Sequence, residues 1–232
     1  MNLNDLELKI FSRWILTSRG IPTVEVDIIT KYGTTRASVP SGKSTGKKEA
    51  LELLDGGVPF YGKGVEKALA NVTRIAEVLN ENRELKFELL AIDNLLHSID
   101  KSKNWNVLGA NAVLPISICF CRIAALAEKV SDWQFISKIS EQKSSIPLPN
   151  FNVINGGEHS GNKLVFQEIM VCFAGDDIKD NLRDASMFYH DLKKTISFVY
   201  GDIATSVGDE GGFAPPIDTL EEALNLIVET YK

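Results

Sequence analysis

Pro22-Thr23-Val24-Glu25-Val26-Asp27-Ile28-Ile29 sends Val24, Val26 and Ile28 to one side of an extended chain and Glu25, Asp27 and Ile29 to the other. Successive side chains of a strand point to opposite faces, so this period of two marks a half-buried strand rather than a helix. Turn residues flank it, Ser18-Arg19-Gly20 before and Tyr32-Gly33 after, which predicts a three-stranded antiparallel meander in the first forty residues. From Val65 the period becomes helical: Val65, Ala68, Leu69, Val72, Ile75 and Leu79 fall on one stripe, and shorter stripes follow over 89–99 and 110–130. A sheet followed by helices predicts an α+β first domain.

The segment Glu141-Gln-Lys-Ser-Ser-Ile-Pro-Leu-Pro-Asn150 is polar and then punctuated by proline, a linker composition that divides the chain into domains 1–142 and 143–232. Beyond it, 151–154 and 164–173 read as strands joined by a glycine-rich loop. A long amphipathic helix follows, with Ile178, Leu182, Ala185, Tyr189, Leu192, Ile196 and Val199 in register and Gly201 placed to end it. The run 203–207 reads as strand-like, and Thr219-x-x-Glu222 opens a last helix with a capping-box pattern.

With 232 residues, 44% hydrophobic and 24% charged, the composition is that of a folded domain or two and excludes a disordered chain. A net charge of -6 without a dense Lys/Arg block excludes a reader of nucleic-acid backbone. Met1 leads into Asn2, Asp5 and Glu7 rather than a basic-then-apolar leader, and no apolar run is expected to approach bilayer-spanning length, so a cytoplasmic address is expected. Cys119, Cys121 and Cys172 match neither a closed disulfide framework nor a zinc spacing and are expected to be small buried hydrophobes.

Three segments carry chemistry. Pro40-Ser41-Gly42-Lys43-Ser44-Thr45-Gly46 ends like a phosphate-cradling P-loop and is expected to join a strand to a helix. The full pattern needs a glycine five residues before Gly42 so that backbone N–H groups converge on phosphate, and Ala37 stands there. Asn155-Gly-Gly-Glu-His159-Ser-Gly-Asn162 displays a histidine on a loop whose glycines permit close approach. If the flanking strands pair antiparallel, Gln167 and Glu168 lie at the same end of the sheet as His159. Gly208-Asp-Glu210-Gly-Gly212, alone a solvated turn, becomes chemistry if Glu210 faces Glu168. Two close carboxylates do not readily both ionise, and the one kept protonated can serve as a general acid.

Taken together, Ser18-Arg19-Gly20-x-Pro22-Thr23-Val24-Glu25-Val26-Asp27, Val39-Pro40-Ser41-Gly42-x-Ser44-Thr45-Gly46, Glu49-Ala50-Leu51-Glu52-Leu53 and Gly62-Lys63-Gly64-Val65 resemble the enolase family. So do Leu108-Gly109-Ala110-Asn111-Ala112, Asn152-Val153-Ile154-Asn155-Gly156-Gly157-x-His159, Gln167-Glu168, Tyr189-His190-x-Leu192-Lys193 and the run 207–215. The resemblance implies an α+β cap domain followed by the ββαα start of an α/β barrel that is incomplete in this chain. It implies reversible dehydration of 2-phosphoglycerate to phosphoenolpyruvate in glycolysis. By resemblance Glu210 is the acid that protonates the departing hydroxyl, Glu168 the carboxylate that assists it, and His159 and Gln167 are substrate-site groups. Ser41 is implied as a loop ligand of the second Mg²⁺. A basic side chain working with Mg²⁺ ions that stabilise an enediolate is the established scheme of that superfamily, and it comes with the resemblance rather than with any spacing in this chain.

The first-Mg²⁺ ligands, the basic lysine and the phosphate-binding groups of the family lie later than Lys232, where no cap or breaker precedes the last residue. The second domain is therefore expected to associate with a C-terminal part or a second copy, a homo-oligomer being implied by the resemblance. Ile21 stands where the family has asparagine and Lys43 where it has alanine, a cation that would repel Mg²⁺ or pair with the substrate phosphate. The competing functions are a catalytically inactive homologue acting as a binding protein, and a nucleotide-binding protein.

Overall fold

The computed structural model describes residues 1–42 and 44–232; Lys43, on which the sequence places that loop cation, lies outside the described residues. The chain forms two compact units, Met1–Ser144 and Ser145–Lys232.

In the first unit, strands β1 (Lys9–Leu16), β2 (Pro22–Thr30) and β3 (Gly33–Ser38) make the expected antiparallel meander in the order β1-β2-β3. Val24, Val26 and Ile28 are fully buried, as the alternation requires. Helices α1 (Glu66–Glu81), α2 (Leu89–Ile99) and α3 (Ala110–Glu128) close over that face, contributing Val72, Ile75 and Leu79, then Ile92 and Leu96, then Ile116, Phe120 and Ile123 to one core. By length and composition α3 could cross a bilayer, contrary to the expectation that no apolar run does. Its apolarity is that of a helix buried against the meander, with Ala112, Ile116, Cys119 and Phe120 enclosed. A fourth helix, α4 (Asp132–Ser140), opens with a capping box between Ser131 and Gln134, a local start signal that the sequence carries in plain form.

On the outer face of the meander the polar half of the alternation forms a charge network. Arg36 bonds both oxygens of Asp27 at 2.6 and 2.9 Å, and Arg13 bridges Glu25 and Asp27. The Arg36 hydrogen bonds outweigh the opposing effect of burial and, with Arg13, lower the Asp27 carboxyl to about 2. A carboxylate whose folded pKa lies below its unfolded value adds stability that is complete above the unfolded value and is lost as pH falls through the folded one. The urea midpoint of the first unit is therefore expected to fall most between about pH 4 and about 2, and Asp27→Asn is expected to flatten that dependence. A chemical-denaturation series across that range, with and without the substitution, checks it.

The expected helix after the 40–46 loop and the burial of all the cysteines are not met. No helix follows the 40–46 loop among the described residues; the chain runs on to Leu53, where the buried Asn111 side chain accepts from its N–H (2.9 Å) and donates to its C=O (3.0 Å), standing in for a strand partner. Among the described residues no helix N-terminus stands behind this loop, as a phosphate cradle of the P-loop kind would need. Among the cysteines Cys119 is buried, but Cys121 is half-buried and Cys172 exposed.

The second unit has the order β4 (Asn150–Asn155), β5 (Glu168–Cys172), α5 (Ile178–Tyr200), α6 (Leu220–Tyr231), with β4 and β5 antiparallel. Among the described residues these strands do not close a barrel. Ile169 on β5 joins a core with Phe188, Leu192 and Ile196 of α5, while Met170 and Cys172 alternate onto the uncovered face, which explains the exposed cysteine. Gly201 caps α5 at φ 85°, and Thr219 with Glu222 forms the expected capping box. The second strand is shorter than 164–173 because the backbone groups of Leu164 and Gln167 serve the preceding loop, accepting from Gly157 and Gly156. The 203–207 run is a 3-10 turn, Asp202–Thr205, closed by local bonds such as Ala204 N–H to Gly201 C=O; only Val207 bridges, to Phe213.

Candidate active site

Everything at the site hangs on the end of β4. The Asn155 N–H donates to Phe213 C=O and the Phe213 N–H to Val153 C=O, both at 2.9 Å, so the loop after Gly208 is stitched to the strand. At Gly156 the chain passes so close to 164–166 that an added Cβ would lie 2.2 Å from Phe166 O and 2.8 Å from the Leu164 side chain. One contact is with backbone and cannot swing away, so Gly156→Ala is expected to destabilise the second unit by about 2 kcal/mol and to loosen His159; thermal unfolding of the variant checks it.

His159 ends the short turn Gly157–His159 and is only 4% exposed, whereas taken alone it reads as a displayed loop histidine. Its Nδ1 lies 2.8 Å from Glu210 Oε1, and its Nε2 lies 2.8 Å from Gln167 Nε2. With the Gln167 amide nitrogen as donor, Nε2 accepts and the ring proton sits on Nδ1, pointing at Glu210. The Asn155 amide, fully buried, reaches Glu210 Oε2 at 3.4 Å. Sequence reasoning passed over Asn155; its signal was a polar residue closing an apolar strand.

Glu168 starts β5 beside Glu210. Its hydrogen bond to Glu210, and then burial, raise its carboxyl above the ordinary range. For Glu210 burial pushes upward, but hydrogen bonds with His159 and Glu168 and the attraction of His159 overcome it and leave that carboxyl lowered. The two carboxyls are therefore pushed in opposite directions, Glu168 toward its protonated form and Glu210 toward its ionised form, and the titration belongs to the pair. Donor atoms of His159, Glu168 and Glu210 lie within 4.8 Å of one another, close enough to meet one cation. Their lone pairs, however, are engaged in mutual hydrogen bonds, and a set including imidazole nitrogen suits proton transfer better than Mg²⁺, which takes oxygen.

Both amide atoms of Asn152 and the Asn155 Oδ1 are buried without a hydrogen-bond partner among the described residues. They crowd Gly212, where an added Cβ would lie 2.5 Å from Asn155 Oδ1 and 3.0 Å from Asn152 Oδ1. Ser41 lies in the first unit: its hydroxyl donates to Glu52 Oε2 at 3.1 Å and its carbonyl accepts from Arg19 at 2.6 Å.

Residues 8–136 match the family described as enolase, N-terminal domain, and residues 143–232 match enolase, C-terminal TIM barrel domain. The chain belongs to the enolase family. It is 49% identical over 228 residues to the enolase of Mastigamoeba balamuthi and 43% identical over 224 residues to that of Pyrococcus furiosus, each alignment covering 96% of this chain and 51% of the relative. The chain thus spans about half the length of the curated relatives it matches. Family membership agrees with the observed fold, a meander with helices followed by part of an enolase barrel domain.

Proposed function

We propose that this chain carries the acid–base part of a site that interconverts 2-phosphoglycerate and phosphoenolpyruvate. The observation that carries the reading is the facing carboxyl pair Glu168–Glu210, held by a buried His159. Loss of hydroxide from a carbon next to a carbanion needs a proton delivered to the leaving oxygen. A pair of close carboxyls can supply it, the proton passing to the hydroxyl through Glu210 while Glu168 balances the charge. His159 and Gln167 hold Glu210 in place and border the substrate. Burial of His159 and Asn155 keeps water from the inner side of the pair.

Two Mg²⁺ ions, when bound, would supply the positive charge that an enolate dianion needs. Ser41, a hard oxygen donor beside the Glu52 carboxylate, has the chemistry to hold one of them. The exposed apolar side chains Phe166, Met170, Val207, Leu224 and Val228 of the second unit support association with a barrel-completing C-terminal part or a second copy. A cytoplasmic, glycolytic role follows from the same reading.

The test is an assay of the purified 232-residue chain with 2-phosphoglycerate and Mg²⁺, following phosphoenolpyruvate by ultraviolet absorbance, with and without EDTA. It is run alone and after mixing with the separately produced C-terminal half of an enolase. Turnover that appears on mixing and disappears with EDTA is expected; silence of the mixture would overturn the proposal in favour of a binding role.

A further inference from the structure

We propose that Tyr189 is a positioning residue for Glu210: its hydroxyl, carried on α5, fixes the turn that aims the Glu210 carboxylate at His159. The inference rests on the acid–base reading of Glu210 and adds a residue that touches neither substrate nor reacting atoms.

Tyr189 enters the sequence as one apolar member of the α5 stripe, and half of the side chain behaves so: its ring stacks on Phe213 at 4.4 Å between centroids and 20° between planes. The hydroxyl does something else. It donates to Gly211 C=O at 2.6 Å, the carbonyl of the residue that immediately follows Glu210. Gly211 sits at φ 81°, a left-handed conformation that glycine adopts at little cost. The turn is closed by Gly211 N–H to Gly208 C=O at 3.0 Å and Gly208 N–H to Gly212 C=O at 2.8 Å. Glycines on both sides of Asp209-Glu210 leave this turn soft, because the glycines themselves carry no side chain to restrain rotation of the peptides.

External grips decide where Glu210 points. On one side β4 holds Phe213 through Asn155; on the other, the Tyr189 hydroxyl holds the Gly211 carbonyl. The Asn155 and His159 side chains act on the carboxylate itself, at 3.4 and 2.8 Å, and do not fix the backbone from which it springs. Removing only the hydroxyl frees the Gly211 peptide to rotate, and the short His159–Glu210 contact lengthens. The ring, its stack on Phe213 and the helix stay, so the fold has no reason to fail.

Tyr189→Phe is compared with Tyr231→Phe, at the exposed end of α6, in the full 232-residue chain by imidazole ¹H–¹⁵N spectra and thermal unfolding. The parent is expected to show a His159 Nδ1 proton well downfield, the mark of a short hydrogen bond to carboxylate. Tyr189→Phe is expected to lose or strongly broaden that resonance while the unfolding midpoint stays within a few degrees, and Tyr231→Phe to leave both unchanged. A resonance that survives intact in Tyr189→Phe overturns the proposal, as does global unfolding of that variant, which would make the hydroxyl a support of the fold and not an aiming device. Absence of the resonance in the parent would instead sink the acid–base pair itself, so the two failures are told apart without any turnover.

Discussion

Glu210→Gln is expected to lower turnover of 2-phosphoglycerate by a factor on the order of 10³, the range that one positioned acid–base group supplies, in any assembly of this chain that shows turnover. Substrate affinity is expected to change by no more than a few fold. The amide has nearly the shape of the carboxylate, and its oxygen can still accept from His159 Nδ1 at the place where Oε1 lies 2.8 Å away. What it cannot do is take up or give up a proton. A second consequence follows from the same pair: the hydrogen bond to Glu210 is the largest cause of the raised Glu168 carboxyl. Without an ionisable partner, Glu168 is expected to fall back toward the ordinary glutamate range. Phosphoenolpyruvate absorbance gives the rate and calorimetric titration with substrate gives the affinity. Unchanged turnover, or a loss explained wholly by weaker binding, would sink the assignment.

The meander was legible because β2 alternates apolar with polar side chains, so Val24, Val26 and Ile28, all buried, announce their partners on the helices by spacing alone. The α5 and α6 boundaries were legible for a similar reason: Gly201 and the Thr219–Glu222 box are local chemistry. What failed had two kinds of cause, one distant and one local. The 40–46 loop looks like the entry to a helix until Asn111, far along the chain, captures the backbone of Leu53. The 203–207 run has the apolar content of a strand, but Gly201 and Asp202 turn it into a 3-10 segment. At the site, His159, Gln167, Glu168 and Glu210 could be named from motifs, and the second unit brings all four together. The Tyr189 hydroxyl could not be named, because its contact depends on the fold of the 208–212 turn rather than on its own neighbours in sequence.

Asp100 is a further residue whose weight only the fold reveals, and Asp100→Ala is expected to destabilise the first unit by about 4 kcal/mol. This carboxylate, fully buried at the end of α2, accepts four hydrogen bonds: from Ser102 N–H (2.9 Å) and hydroxyl (2.5 Å) on one oxygen, and from Val107 N–H (3.0 Å) and Leu108 N–H (2.8 Å) on the other. Burial alone would raise its pKa, yet the bonds from Ser102, Leu108 and Val107 prevail and the carboxyl is lowered. Removing it leaves three backbone N–H groups in a closed loop with no acceptor, each costing about 1–3 kcal/mol if it stays dry, partly relieved as water enters. Asp100→Asn restores less than its shape suggests: all four partners donate, and an amide NH₂ faces one pair of them with hydrogens. The loop it organises leads through Gly109 to Asn111, which holds Leu53, so the damage should extend to the segment carrying Ser41 and Glu52. Because the folded pKa is depressed, this contribution too is complete above the unfolded carboxyl value and is lost as pH falls through the folded one. The wild-type advantage over Asp100→Ala should therefore shrink in acid. Urea unfolding at neutral and acid pH measures both effects; a loss below about 1 kcal/mol at neutral pH, within reach of an ordinary exposed site, would mean that water already satisfies this loop.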